Sequence, residues 1–192
     1  TVKQARADIV EKGSKGKNNG TIILKSDLKE IKNQTVKAVD IAQGNVIDIP
    51  VQFYSASDAY PTMERVRPNA YILPPAYHHV AEKLTMQGAH VQKLVNDEEL
   101  TVECYNVKDE ATEVEKDQVL RHVTTELEEK TIFFPKGSYV ISCAQAAATI
   151  VALALEPESS ASYTTNNYFP VTMGNELPVY RYMEELNLPL ED

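Results

Sequence analysis

The stretch from Arg67 to Val95 constrains the fold most, because three structural signals follow one another there without a gap. Asn69–Leu73 is a short apolar run closed by Pro74-Pro75, residues that cannot donate to a ladder, so the pattern predicts a strand that stops there. From Tyr77 onward the apolar residues Tyr77, Val80, Ala81, Leu84 and Met86 recur close to one face at helical spacing. Gly88 stands where a helix commonly ends in the left-handed conformation. Ala89–Val95 then alternates, with Val91 and Leu94-Val95 apolar. The succession predicts strand, helix and strand, at about the length a parallel crossover needs.

Charge and hydropathy narrow the partners. The 192 residues carry a net charge of −9, and no local basic patch interrupts it, so a nucleic-acid backbone is not an expected ligand. The longest apolar run, Ala144–Leu155, is well short of the roughly 20 residues of a membrane-spanning helix. Thr1 opens directly on a helical pattern, without an initiator Met, a basic start or an apolar signal core, which leads to the expectation of a segment of something longer. Cys104 and Cys143 could form one disulfide or remain two thiols; their strand-like surroundings favour buried thiols.

Before the central unit, Val2–Val10 has helical periodicity and Glu11–Gly20 reads as a surface loop. Thr21–Leu24, Thr35–Ile41 and Val46–Phe53 are rich in β-branched residues and predict three antiparallel strands, with Ser55–Arg67 an irregular connection. After it, strands are predicted at Leu100–Val107, Val119–Leu127, Thr131–Phe134, Ser138–Ser142 and Tyr168–Val171. Lys108–Lys116 reads as an acidic loop, Glu128–Lys130 as a turn and Ser159–Asn167 as a polar loop. Ala144–Leu155 predicts a helix apolar nearly all round, hence buried on more than one side.

Several constellations invite chemistry, and each has a plainer reading. His79 and Glu82 have the HxxE spacing of a zinc pair, with His90 or His122 as conceivable third ligands. They also lie one helical turn apart beside core-facing positions, and no base or open cleft accompanies them, so they are read as structural. Cys143 precedes a predicted helix, where a thiol can be activated, but no histidine is near in sequence and a core thiol fits better. Ser159–Ser162 lacks the glycines of a nucleophile elbow, and Asp109–Asp117 lacks the pattern of a calcium loop. Tyr163, Tyr168, Tyr180 and Tyr182 are the candidate ligand-binding residues, although aromatic residues late in a chain also serve to pack its end.

Two stretches together resemble a known family. The first is Arg67-Pro68-Asn69-Ala70-Tyr71-Ile72-Leu73-Pro74 followed by Val80-Ala81-Glu82-Lys83-Leu84 and Gly88. The second is Phe134-Pro135-Lys136-Gly137-Ser138-Tyr139-Val140-Ile141, then Ala144-Gln145-Ala146, then Leu155-Glu156-Pro157-Glu158-Ser159. In this order they resemble the region following the catalytic domain in bacterial zinc carboxypeptidases of the carboxypeptidase A type. In that family an HxxE pair and a distant histidine bind zinc, and a glutamate acts as base on the zinc-bound water. None of that machinery is matched here, and no catalytic or metal role passes to His79 or Glu82. The resemblance implies a detached accessory domain of a secreted or envelope-associated peptidase, with zinc in the missing part and the peptidase domain as partner.

The sequence therefore predicts an α/β fold: a mixed β-sheet with a βαβ unit, packed helices Tyr77–Gln87 and Ala144–Leu155, and a β-rich N-terminal segment. Residues 1–66 would form that segment and residues 67–192 the accessory domain. The expected function is non-catalytic, packing on the peptidase domain or shaping access to it. The rivals are a module binding carbohydrate or cell-wall peptide through its tyrosines, and an independent hydrolase.

Overall fold

The computed structural model describes residues 2–13 and 20–192. Helix α1 (Val2–Gly13) is followed by strands β1 (Thr21–Asp40), β2 (Asn45–Val66) and β3 (Ala70–Leu73), then by a single 3-10 turn at Pro75–Tyr77 and helix α2 (His78–Met86). Strands β4 (Gln92–Leu94), β5 (Glu98–Glu115), β6 (Gln118–Phe134) and β7 (Tyr139–Ser142) lead to helix α3 (Ala148–Leu155), and β8 (Glu176–Tyr182) and β9 (Leu190–Glu191) complete the order. Residues 14–19 of the expected N-terminal loop lie outside the described residues, and α1 runs past Val10 to Gly13.

The architecture corrects the α/β expectation. Strands dominate, in two sheets: a two-stranded ribbon of β1 and β2, and a seven-stranded sheet in the order β6-β5-β8-β3-β7-β4-β9. Every pairing is antiparallel. The strand, helix and strand around α2 form, but β3 and β4 do not pair. Strand β7 lies between them and pairs antiparallel with both, Leu73 facing Tyr139 on one side and Lys93 facing Tyr139 on the other. Periodicity identifies elements but carries no information about which strand will insert between two others, and here that choice replaces a mixed sheet by an antiparallel one.

Helix α2 ends as its sequence predicts. Ala89 N–H donates to Leu84 O at 3.0 Å and Gly88 N–H to Thr85 O at 2.9 Å, the paired bonds of a Schellman cap, with Gly88 at φ 90°. Leu84 and Ala89 are both buried in the core that the cap closes on.

The long strands were the other departure. Ser55–Val66, expected to be irregular, belongs to β2, and the expected loop Lys108–Lys116 and turn Glu128–Lys130 lie largely within β5 and β6. Hairpin geometry explains this. Lys116 and Asp117, both at positive φ, make a tight two-residue turn whose twist matches its strands, so polar residues can continue the ladder on either side. The four-residue loop between β1 and β2 closes through Gly44 N–H to Asp40 O at 2.8 Å, while the Asp40 carboxylate accepts from Ala42 N at 2.9 Å. Tyr168–Val171, expected to be a strand, is irregular.

Both faces of the central sheet are covered, which is why β3 is buried at every position. On one face Tyr71, Leu73, Ile141 and Val179 pack beneath α2 and α3. On the other, Ile72, Val140, Phe134 and Tyr182 pack with Leu186, Leu188 and Leu190 of the C-terminal tail. Helix α3 is only eight residues long, shorter than its apolar run, because residues 144–147 turn instead of continuing the helix. There Gln145 brackets the His90 peptide, its Oε1 accepting from His90 N at 2.7 Å and its Nε2 donating to His90 O at 3.0 Å.

Candidate functional site

The base of the β1–β2 ribbon enters the domain and the rest of the ribbon leaves it. Ile22 and Leu24 are buried in the core beneath the helices, and Met63 packs against it. Between these apolar contacts, Arg65 carries a charge inward. Its Nη1 donates to Glu156 Oε2 at 3.1 Å and its Nη2 to Thr125 Oγ1 at 3.1 Å and to Glu158 Oε2. Glu158 Oε1 accepts from the backbone N–H of Thr125 at 2.7 Å.

The same cluster extends across the sheet. Glu156, fully buried, accepts at Oε1 from the Tyr71 hydroxyl at 2.7 Å. Arg181 donates to Glu103 at 2.5 Å and to the carbonyl of Val66. Its Nε stands 3.3 Å from Glu156 Oε1, near enough for ion pairing, although that N–H is not aligned as a hydrogen bond. Two guanidinium groups thus face two sequestered carboxylates, with Glu103 at the rim. Such a cluster is tolerable in a core only because the charges are paired and most lone pairs are used. Tyr105 lies among them with Arg65 5.3 Å from its ring centroid and its hydroxyl without a hydrogen-bond partner. Burial and the neighbouring Glu156 raise the hydroxyls of Tyr71 and Tyr105 well above the usual phenol range, so both are neutral at ordinary pH.

These charged residues went unread as a group in the sequence. Glu156 and Glu158 belong to the stretch that carries the family resemblance, between the expected helix Ala144–Leu155 and the expected polar loop Ser159–Asn167. Arg181 sat inside an aromatic tail. The usable signal was the alternation of β8, which sets Arg181 on the face of Leu177 and Val179, so that a charge at that position must be buried and paired.

Beyond Lys25 most of the ribbon is exposed on both faces, with Ser55 buried and Val51 half-buried, yet the faces differ. Antiparallel partners share a face, and the register pairs Ile31 with Phe53, Gln34 with Val51, Val36 with Ile49 and Ala38 with Ile47. The bulge between Ile31 and Gln34, with Asn33 at φ 61°, keeps these four rows on one side. Over these four rows that side has no charged residue, and Asp40, opposite Asn45, is the next position on it toward the tip. The opposite side carries Lys37 paired to Asp48 at 3.1 Å, together with Thr35 and Pro50 and the exposed pair Val39 and Val46. Phe53 is 48% exposed, Val36 54% and Ile49 43%, so an apolar face stands uncovered.

The four candidate tyrosines separate into two places. Tyr163 and Tyr168 pack together at 5.0 Å between ring centroids, above the face that carries α2. The Tyr163 hydroxyl donates to Gln87 Oε1 at 2.8 Å, and Lys83 Nζ lies 4.3 Å from the Tyr168 ring centroid and bonds its hydroxyl. A groove of about 320 Å³ beside Tyr168 is lined by Gln118, Leu120, Asn166 and Asn167. Tyr180 and Tyr182 face the other side of the sheet, Tyr180 edge-on to Phe134 at 5.1 Å and Tyr182 buried.

Cys104 and Cys143 are both free thiols and both buried. Burial, with Glu176 near Cys104, pushes the Cys104 thiol up to about 12. Burial also pushes Cys143 up to about 12, against the opposing pull of Arg67. Neither is a nucleophile at neutral pH. His79 Nε2 lies 3.4 Å from the carbonyl oxygen of Tyr168, and among the described residues no group of three His, Cys, Asp or Glu side chains could hold a metal ion. Among the described residues, His79 and Glu82 are therefore joined by no third donor that would complete a zinc centre. Among the described residues, no helix is long and apolar enough to cross a membrane.

No family model and no solved structure matches the chain. It is 30% identical over 166 residues to carboxypeptidase 2 of Trichophyton rubrum, and 29% identical over the same length to carboxypeptidase 2 of Trichophyton tonsurans. Each alignment covers 85% of this chain and 31% of the relative. A probable carboxypeptidase 2 of Arthroderma benhamiae is 29% identical over 141 residues, 72% of this chain and 27% of the relative. The relatives are fungal, which supports the carboxypeptidase part of the resemblance and not its bacterial part. The chain spans about a third of the length of these relatives and is similar to one region of carboxypeptidase-type proteins.

Proposed function

We propose that this chain is a non-catalytic region of a carboxypeptidase-like protein, packed on a peptidase domain of the same polypeptide and bounding access to it. The observation that carries this reading is the extent of the similarity: most of this chain aligns with under a third of each carboxypeptidase 2. Zinc chemistry, where a general base acts on metal-bound water, belongs in this reading to the remaining part. A secreted location for the parent is part of the same proposal.

A side-by-side assay tests it. The full-length polypeptide should release C-terminal residues from peptide substrates, and this chain alone, cooperatively folded and supplied with zinc, should release none. Turnover by the chain alone, abolished by a chelator, would overturn the reading.

A second reading rests on Lys83, Tyr163 and Tyr168. A groove edged by Tyr168, with the Asn166 and Gln118 amides, has the chemistry that receives a sugar ring or a short cell-wall peptide, while Tyr163 is buried and packs against Tyr168. Titration with soluble peptidoglycan fragments, following amide shifts at Tyr168 and Asn166, would support that reading if those shifts saturate. Unshifted resonances would remove it. Tyr180 and Tyr182 would belong to a separate site on the far face.

A further inference from the structure

We infer that the uncharged face of the β1–β2 ribbon is a docking surface for the remainder of the same polypeptide, and that its occupant is an apolar, uncharged patch of the peptidase domain. This rests on the reading of the chain as one region of a larger carboxypeptidase-like protein. Three observations lead to it.

The first is the sorting of charge. From the row of Ile31 and Phe53 to the row of Ala38 and Ile47, every position on this face is uncharged up to Asp40 at the tip, whereas the reverse face sets the Lys37 and Asp48 ion pair between the rows of Thr35 and Pro50 and of Val39 and Val46. A ribbon solvated on both sides has no reason to segregate its charges; one that is covered on a single side does. The second is mechanical. Among the described residues the ribbon is fixed to the core at its base, by Ile22, Leu24 and the Arg65 cluster, and an unsupported two-stranded hairpin is marginal in water. The third is size. The face is about 25 Å long and about 10 Å wide from strand spacing and rise, a footprint well below the roughly 800 Å² per partner of a stable independent complex. A surface so small is held more readily by a partner on the same chain, where tethering supplies the effective concentration. The relatives, about three times longer than the region matched, have such a partner available.

Amide hydrogen exchange on this chain and on the full-length polypeptide separates the alternatives. Exchange across residues 31–53 should be about tenfold or more slower in the full-length protein, and Phe53→Lys there should restore fast exchange in the ribbon while leaving β3 and β7 protected. Equal exchange in both proteins, or no effect of Phe53→Lys, overturns the inference. So does sedimentation of this chain as a dimer that Phe53→Lys splits, which would give the face to a second copy. Peptidase turnover is recorded separately, so a catalytic chain with a docked ribbon and a silent chain with a free ribbon are distinguishable.

Discussion

Arg65 on β2 and Glu156 after α3 meet at 3.1 Å across 91 positions of sequence, joining the ribbon to the seven-stranded sheet by an ion pair inside the protein. Removing Glu156 leaves Arg65 with Glu158 and Arg181 with Glu103, but takes from both guanidinium groups the one carboxylate that is fully buried between them. Glu156→Ala should therefore destabilise the fold by about 3–5 kcal/mol, while Glu156→Gln, which keeps an acceptor for the Tyr71 hydroxyl, should cost less. Urea unfolding followed by circular dichroism checks both. A loss below about 1 kcal/mol for Glu156→Ala would show that the cluster relaxes or takes up water.

The thiols begin the alkaline loss of stability, and the buried phenols of Tyr71 and Tyr105 add to it above their own ordinary range. In the unfolded chain each thiol ionises near its ordinary value of 9.0, but in the folded protein both stay protonated up to about 12. Between those values the unfolded state binds fewer protons, so stability falls as pH rises through that window and is unaffected by these groups below it. Thermal unfolding from pH 8 upward should show a midpoint that drops beyond pH 9, and Cys143→Ser should reduce the slope. At neutral pH neither thiol should react with iodoacetamide until denaturant is added.

The ion pair of Lys37 with Asp48 is a contrasting case. Both side chains are more than half exposed, so Asp48→Ala should change global stability by no more than about 0.5 kcal/mol. A larger loss by denaturant titration would mean that the reverse face of the ribbon is also engaged.

Gly88 closes α2 with φ at 90°, and a Cβ built there meets no atom within 4 Å. Gly88→Ala should thus cost only the backbone penalty of the left-handed region, about 1–2 kcal/mol, with the fold otherwise unchanged. Leu84→Ala, which empties a buried contact of the same cap, should cost about 2–5 kcal/mol. Equal losses would mean that cavity and cap are not separable.

Local chemistry was readable in the sequence wherever a residue acts on its own neighbours. Pro74-Pro75 stops β3, Gly88 ends α2, and Val80, Ala81 and Leu84 mark the buried face of that helix. What depends on partners was not readable. The insertion of β7 between β3 and β4 is a choice among long-range pairings of similar apolar strands, and it alone turns an apparent parallel unit into an antiparallel sheet. The polar strand halves around Lys116 and Asp117 have the composition of loops and are held as strands by their turn. Glu156 directly follows the expected helix, and nothing nearby in sequence announces Arg65 or Arg181 as its partners. The uncharged face of the ribbon was hidden by the bulge at Asn33, which breaks strict alternation in β1.

The division between a silent region and a zinc-bearing remainder is tested most directly by titrating Zn²⁺ into this chain by calorimetry at neutral pH, with bound zinc counted by elemental analysis afterwards. No saturable site and no retained metal are expected. A one-to-one site that survives dialysis, and is lost in His79→Ala or Glu82→Ala while the fold persists, would contradict the account and make α2 part of a metal centre.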